Sequence, residues 1–259
     1  MSLSKSKGNM YKGWVSHMHT HLGGACMHKC SYCYVQAMAK RFGQDRYTGE
    51  LRLIEKEFDV KYGTGKSIFV EHCNDLFCDA VPNEWIRRVL DHCNAWPENE
   101  YVFQTKNPER MLEWQEVFPP KRILGCTIET TCADVIASVS KAPDPLSRFA
   151  AMMELRTEGE RLFVTIEPIL DGRMCELAQW CKSIDPEFVN IGADSKGSGL
   201  PEPSAEMVRL LISSLQHFKV PIRAKSNLDR ILKKEDGCLS WMHRSARKEP
   251  EQQQGKEGE

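Results

Sequence analysis

From residue 67 onward, short and almost continuous apolar runs alternate with longer amphipathic segments. The runs cover residues 67–71, 101–106, 122–129, 161–167, 188–194 and 220–226. They are rich in β-branched and aromatic residues, which is typical of strands that are buried on both faces of a parallel sheet. Residues 13–21 are expected to form a first strand ahead of these six.

The segments between the runs have the periodicity of helices with one buried face. After Pro82, the residues Trp85, Val89 and Cys93 form an apolar stripe, and Ser204 is a suitable N-cap for a later helix. Further helices are expected at residues 107–116, 145–158 and 173–183. Strand followed by helix, repeated about six times, predicts an α/β fold: a partial (β/α)6 TIM-like barrel with parallel strands.

Almost every apolar run ends in a polar residue. These residues are Glu71, Lys106, Glu129, Glu167, Asp194 and Lys225. In barrels of this kind, the carboxyl ends of the strands build the active site. The six strand ends therefore predict one working face.

Composition and charge narrow the class of protein. The chain has 259 residues with 41% hydrophobic residues and a net charge of -1, so any polyanion binding would depend on a local patch. No apolar stretch reaches the roughly 18 residues of a membrane helix, and the N-terminus lacks the apolar core of a signal peptide. Together with eleven cysteines, this predicts a cytoplasmic protein without membrane contact, in which close cysteines bind metal.

Three domain segments are expected. Residues 1–10 form a flexible N-terminus, residues 11–243 the barrel, and residues 244–259 a disordered charged tail without apolar periodicity.

Three cysteines lie close together after the expected first strand. They are Cys26, Cys30 and Cys33, and the aromatic Tyr32 directly precedes the last of them. Three thiolates can hold three irons of a [4Fe-4S] cluster and leave the fourth iron open for a small molecule. The alternative is a zinc site with His28 or His21 as fourth ligand, although zinc motifs favour paired CxxC units.

The stretch "CMHKCSYC" resembles the CxxxCxΦC signature of the radical S-adenosylmethionine (radical SAM) enzymes, in which Φ is aromatic. The resemblance implies a barrel of the radical SAM type, with Cys26, Cys30 and Cys33 as catalytic cluster ligands. It also implies S-adenosylmethionine as cosubstrate, a 5′-deoxyadenosyl radical that abstracts hydrogen, and an electron donor of the flavodoxin or ferredoxin type. The cofactor supplies the chemistry, and the barrel positions the substrate.

The same resemblance suggests further contacts to S-adenosylmethionine. Glu71 occupies the place of a strand-two motif near the methionine amino group, although the two glycines common there are missing, and Asn74 or Asp75 could share the contact. The remaining candidates are Glu129 and Thr130 for the ribose, Glu167 at the fifth strand, and Gly192 for close approach of the adenine.

Three sequence elements resemble a compact radical SAM group that is found largely in bacteriophages and prophages. They are Asn74 to Phe77, Thr105 to Met111, and Ile166-Glu167-Pro168. That group is distantly similar to spore photoproduct lyase, a DNA repair enzyme. The resemblance does not fix the substrate, but a phage setting favours modification or isomerisation of a DNA nucleobase, in a host cytoplasm if the chain is phage-encoded. A small metabolite or a peptide is the alternative substrate, and a non-catalytic zinc module is the alternative function.

Other charged and sulfur-containing residues have structural interpretations as well. His17, His19 and His21 alternate, so on a strand they share one face, either as a polar barrel floor or as substrate contacts. Residues 221–234 hold five basic side chains that could bind phosphates or form a solvated helix face. Cys175, Cys181 and Cys238 are expected in helix cores.

Overall fold

The structure is a computed structural model that describes residues 3–6, 11, 13–43 and 45–232. Its strands are β1 Ser4–Lys5, β2 His17–His19, β3 Leu22–Gly23, β4 Arg52–Leu53, β5 Ser67–Val70, β6 Glu100–Thr105, β7 Arg122–Thr127, β8 Leu162–Ile166, β9 Phe188–Ile191 and β10 Ile222–Ala224. Its α-helices are α1 Tyr34–Phe42, α2 Asn83–Asn94, α3 Glu109–Leu112, α4 Ala133–Val139, α5 Pro145–Thr157, α6 Met174–Ile184, α7 Ala205–His217 and α8 Asp229–Leu232.

Eight strands form one sheet in the order β1-β2-β5-β6-β7-β8-β9-β10. Within this sheet, every neighbouring pair is parallel except β1 and β2, which pair antiparallel. This arrangement confirms the predicted α/β fold with parallel strands. In the described part of the chain the sheet remains an open, partial barrel, because β1 and β10 are not paired with each other.

The first strand is shorter than the predicted residues 13–21. The backbone N–H of Val15 donates to the carbonyl of Tyr11, so the chain is still turning before β2 begins. Beyond β2, the chain leaves the sheet, and Leu22 and Gly23 pair with β4 in a separate two-stranded sheet.

The two faces of the large sheet bury different cores. Leu124, Val164 and Val189 point to the side that the helices cover and belong to the main core. On the other face, Phe163 and Phe188 form a smaller cluster, and the ring of Trp14 lies 5.4 and 4.8 Å from their ring centroids. Because side chains alternate along a strand, the polar residues nearer the carboxyl ends of this second face can line a cavity.

The predicted helices are present. α2 begins after Pro82, and the Ser204 hydroxyl caps α7 by accepting from the N–H of Met207 at 3.3 Å. α3 is confined to residues 109–112 instead of 107–116. Cys181 is buried on α6 as expected, but Cys175 is exposed, because α6 turns it away from the core face that carries Leu177.

The predicted segments at the two ends of the chain can be compared with the structure only in part. Ser4 and Lys5, within the stretch expected to be flexible, form β1 at the edge of the sheet. Residues 233–243 of the predicted barrel and the predicted tail at 244–259 lie outside the described residues, as does Cys238. Among the helices that the structure describes, none has the length and apolarity needed to cross a bilayer.

Candidate active site

A cavity of about 730 Å³ opens at the carboxyl ends of the parallel strands. Its lining includes five of the six polar strand-end residues that the sequence pointed out, namely Glu71, Lys106, Glu167, Asp194 and Lys225. Gln104, Thr127 and Thr165 lie deeper, on the same face of the sheet as the cluster around Trp14. The working face therefore lies where parallel strand ends place it.

The cysteine loop forms one wall of this cavity. Cys26, Cys30 and Cys33 are partly buried free thiols, and all three line the cavity. The loop departs from β3 at Gly24, whose φ is +85° and whose Cβ, if present, would lie 2.0 Å from the carbonyl oxygen of Glu50. Only glycine fits there. The loop ends at Cys33, which is the N-cap residue of α1.

A buried ion pair fixes the middle of the cysteine loop. Nε2 of His28 donates to Oδ2 of Asp75 at 2.9 Å. Asp75 also accepts from the hydroxyl of Thr105 at 2.7 Å and from the backbone N–H groups of Phe77 and Lys106. Burial lowers the pKa of His28, but the neighbouring Asp75 carboxylate outweighs it and raises that pKa to about 10. Asp75 was predicted only as a possible contact to S-adenosylmethionine, whereas in the structure it anchors the cysteine loop.

A second buried network holds Tyr32, the aromatic residue of the motif. Its hydroxyl donates to Oε1 of Glu129, which also pairs with the ammonium group of Lys106, and Arg148 donates to Oε2 at 2.7 Å. Glu129 and Arg148 are fully buried. Burial alone would raise the pKa of Glu129, but Lys106 and Arg148 lower it to about 2. Glu129 is therefore an ionised anchor behind the cavity wall.

Glu71 and Asn74 face the cavity but already have local partners. Oε1 of Glu71 accepts from the backbone N–H and from Nδ1 of His21, and Oε2 accepts from the N–H of Leu22 at 3.1 Å. Asn74 donates to the carbonyl of Gly24 at 3.3 Å and accepts from the N–H of Asp75. One lone pair remains on Oε2 of Glu71 and one on the amide oxygen of Asn74.

Of the other residues predicted to contact S-adenosylmethionine, some line the cavity and some do not. Glu167 lines the cavity and pairs with the ammonium group of Lys225. Thr130 is fully buried outside it, with its hydroxyl donating to the carbonyl of Asp171 at 2.7 Å. A Cβ on Gly192 would lie 2.9 Å from Cδ of Glu167, so Gly192 makes room for that side chain. The ribose contacts of Glu129 and Thr130 and the adenine contact of Gly192 remain predictions.

The donor set of the cysteine loop fits an iron–sulfur cluster. Three thiols come from one eight-residue segment and face one cavity large enough to admit a ligand. Of the two fourth ligands considered for zinc, His21 is not part of the cavity lining that carries the three cysteines. Its two ring nitrogens are bonded to Glu71 and His92, whereas His28 lines the cavity and is bonded through Nε2 to Asp75.

Residues 14–195 match the family model described as "Protein of unknown function (DUF5131)". The chain belongs to the DUF5131 family. None of the curated proteins matches the DUF5131 chain in sequence.

Solved structures with the same fold include a spore photoproduct lyase mutant with bound S-adenosylmethionine and dinucleoside spore photoproduct. It is 13% identical to the DUF5131 chain, with a TM-score of 0.56 over 86% of this chain and 76% of the lyase. SuiB of Streptococcus suis, bound to its precursor peptide SuiA, is 9% identical, with a TM-score of 0.55 over 81% of this chain and 48% of SuiB. These likenesses concern the fold and agree with the parallel α/β arrangement that the sequence predicted.

The alternating histidines of the DUF5131 chain lie away from the cavity. His19 and His21 share one face of the β2 segment, as predicted, but it is the face toward α2, where His21 contacts His92. None of His17, His19 and His21 lines the cavity. The alternation of the histidines predicted that they share a face of the sheet. It did not predict whether this is the cavity face or the face toward the helices.

The basic segment at 221–234 does not form one continuous patch in its described part. Lys225 faces the cavity, whereas the guanidinium of Arg223 lies 3.3 Å from the ring centroid of Phe188, in the cluster around Trp14. Arg230 is paired with Glu202 at 2.5 Å. Lys233 and Lys234 lie outside the described residues.

Proposed function

We propose that this protein is a radical SAM enzyme whose [4Fe-4S] cluster is held by Cys26, Cys30 and Cys33. The observation that carries the proposal is that these three thiols, spaced as CxxxCxxC, face the cavity at the carboxyl ends of a parallel sheet. When bound there and reduced, such a cluster would supply the electron for cleavage of S-adenosylmethionine at its sulfonium, and the 5′-deoxyadenosyl radical would serve for hydrogen abstraction. A flavodoxin- or ferredoxin-type protein would deliver that electron.

The residues of the chain bind and orient the reactants. The free lone pairs of Glu71 and Asn74 suit the ammonium group of S-adenosylmethionine, because a cationic donor makes short, strong hydrogen bonds to such oxygens. Lys106 and Lys225 also lie on the cavity lining, where they pair with Glu129 and Glu167. Glu129 orients both Tyr32 and Lys106 from behind the wall.

Iron binding and cosubstrate cleavage test this reaction. Protein reconstituted without oxygen should absorb in the visible range of a [4Fe-4S] cluster and form 5′-deoxyadenosine when S-adenosylmethionine and a reductant are added. Single replacements of Cys26, Cys30 and Cys33 by Ala should abolish that product. Cys175→Ala is the matched control, because this cysteine is exposed on α6. A colourless protein that retains zinc at the three cysteines would instead identify a zinc module.

We further propose a DNA nucleobase as the target of the radical. The cavity lining contains three lysines; Lys106 and Lys225 pair with Glu129 and Glu167, so the attraction of a phosphate backbone would rest mainly on Lys196. The fold is that of a lyase whose structure contains a dinucleoside. SuiB, with a bound peptide, makes a peptide the second candidate.

Mass spectrometry distinguishes these substrates. Nucleosides from DNA incubated without oxygen with enzyme, S-adenosylmethionine and reductant should contain a new or isomerised base. DNA affinity should fall steeply with salt, and Lys196→Ala should reduce the log–log slope by about one unit. Unaltered DNA and salt-independent binding would direct the search to peptides or small metabolites.

A further inference from the structure

Three histidines and a tyrosine form a buried cluster on the helix-facing side of the sheet. His19 is the last residue of β2, and His21 lies two residues beyond it. His92 comes from the last turn of α2, and Tyr62 from the chain before β5. One ring nitrogen from each histidine lies within 4.8 Å of the others. His21 is fully buried, and His19 and Tyr62 are 6% and 1% exposed.

The outward ring nitrogen of each histidine meets a group that can only accept a hydrogen bond. Nε2 of His19 lies 3.0 Å from a carboxylate oxygen of Glu57, and Nδ1 of His21 lies 2.7 Å from Glu71. Nε2 of His92 lies 2.9 Å from the carbonyl oxygen of Val60. Ionised carboxylates and carbonyls have no proton to donate, so each outward nitrogen carries the hydrogen.

The inward nitrogens are then three lone-pair acceptors around one hydroxyl group. Nδ1 of His19 lies 2.7 Å from the Tyr62 oxygen, and Nε2 of His21 lies 3.2 Å from it. Nε2 of His21 also lies 2.8 Å from Nδ1 of His92. The single O–H of Tyr62 can supply one of these contacts, and two facing lone pairs at 2.8 Å repel each other unless a cation lies between them.

We propose that this cluster binds a divalent transition-metal ion of the zinc type, with His19, His21 and His92 as ligands and the Tyr62 oxygen as the fourth. Imidazole nitrogens suit zinc, and ligating histidines typically donate their other N–H to a carboxylate or a carbonyl, as all three do here. Tyr62 would release its proton to solvent on binding.

The charges around the site also fit a divalent cation. A Zn²⁺ ion brings two positive charges and Arg46, paired with Glu57 at 2.8 Å, brings a third. The carboxylates of Glu57 and Glu71 and a phenolate at Tyr62 bring three negative charges. Four protein ligands close the coordination shell, which is typical of a structural site. The ion would join β2, α2 and the chain before β5 behind Glu71, and this does not depend on the proposed reaction.

Zinc retention tests the site separately from the cysteine loop. The full chain carrying Cys26→Ala, Cys30→Ala and Cys33→Ala is equilibrated with Zn²⁺ alone, desalted and analysed for metal. We expect one zinc per chain, a higher Tm with zinc than with chelator, and loss of at least nine-tenths of the zinc when His92→Ala or His19→Ala is added. His217→Ala, which removes an exposed histidine from α7, is the matched control and should retain the zinc.

Two results would overturn the proposal. One is that the protein with Cys26, Cys30 and Cys33 replaced by alanine retains less than a tenth of an equivalent of zinc. The other is that the additional histidine replacements leave its zinc content unchanged. If the histidine variants do not fold, the absorption spectrum of Co²⁺ bound to the triple cysteine variant tests the site instead. A visible spectrum of four-coordinate Co²⁺ without sulfur charge-transfer absorption supports the site, and strong sulfur charge-transfer absorption contradicts it.

Discussion

Nε2 of His28, in the middle of the cysteine loop, lies 2.9 Å from Oδ2 of Asp75, which follows β5. Asp75 is 6% exposed and accepts from three further donors, two of which belong to Thr105 and Lys106 at the end of β6. One carboxylate thus connects the loop that carries the candidate iron ligands to two adjacent strand ends. The loop geometry should depend on this residue more than on any surface contact.

Asp75→Asn should loosen the cysteine loop and weaken iron binding. An amide offers one acceptor oxygen where the carboxylate offers two, so at least one buried donor loses its partner at about 1–3 kcal/mol. Groups that orient metal ligands typically contribute 10–100-fold in metal affinity. We therefore expect iron to be lost to a chelator at least about 10-fold faster. Asp79→Asn, at an exposed carboxylate nearby, is the control, and equal rates for both variants would contradict the anchoring role.

Glu71→Gln should destabilise the chain where it leaves β2. The carboxylate accepts from two backbone N–H groups and a histidine ring, and a glutamine would turn its NH₂ group toward one of these donors. We expect the free energy of unfolding to fall by about 1–3 kcal/mol in denaturant titrations. Calorimetry with S-adenosylmethionine should also show roughly tenfold weaker binding if the remaining lone pair holds the ammonium group. Weaker binding at unchanged stability would mean that the local hydrogen bonds contribute little.

Glu129 should make the stability of the protein sensitive to acid. Its pKa is lowered from 4.5 to about 2 in the folded chain, so its contribution is fully present above pH 4.5 and is lost as the pH falls toward 2. The shift corresponds to a stability on the order of 3 kcal/mol. Glu129→Gln should be less stable by a similar amount at pH 7, because Arg148 then remains buried without its carboxylate.

The pH dependence provides the check on this assignment. The difference in free energy of unfolding between the wild-type protein and Glu129→Gln should narrow as the pH is lowered from 5 toward 2. Glu160→Gln is a suitable comparison, since Glu160 pairs with the partly exposed Arg122 near the opposite ends of the strands. A difference for Glu129→Gln that stays constant with pH would show that packing, and not charge, accounts for the loss.

The parallel sheet and the location of the cavity could be predicted from the sequence, because both follow from apolar runs and their polar ends. The cysteine motif could be recognised in the same way, since Cys26, Cys30 and Cys33 lie within eight residues. Such patterns depend only on residues that are close in sequence. The parallel sheet then places the strand-end residues Lys106, Glu167 and Lys225 around one cavity.

Contacts between distant segments could not be predicted in this way. His21 and His92 are 71 residues apart, and His19 and Glu57 are 38 apart. A period of two predicts that His19 and His21 share a face, but the choice between the cavity face and the helix face depends on how the sheet packs. Glu129 shows the same limit. Glu129 ends an apolar run, as the other strand-end residues do. However, it pairs with Arg148 of α5 and is not part of the cavity lining.

Gly192 offers a test that separates protein packing from cofactor contact. A Cβ at this position would lie 2.9 Å from Cδ of Glu167, and Gly192 does not have a positive φ, so alanine is excluded by space and not by backbone strain. Gly192→Ala should push Glu167 from its pairing with Lys225 and lower the free energy of unfolding by about 1–3 kcal/mol. In a Glu167→Ala background, the same change should cost close to nothing. The two substitutions should therefore be non-additive by at least about 1 kcal/mol. If close approach of the adenine is what requires glycine, Gly192→Ala will instead weaken S-adenosylmethionine binding equally with and without Glu167. Calorimetry on the four proteins of this cycle decides between the two explanations.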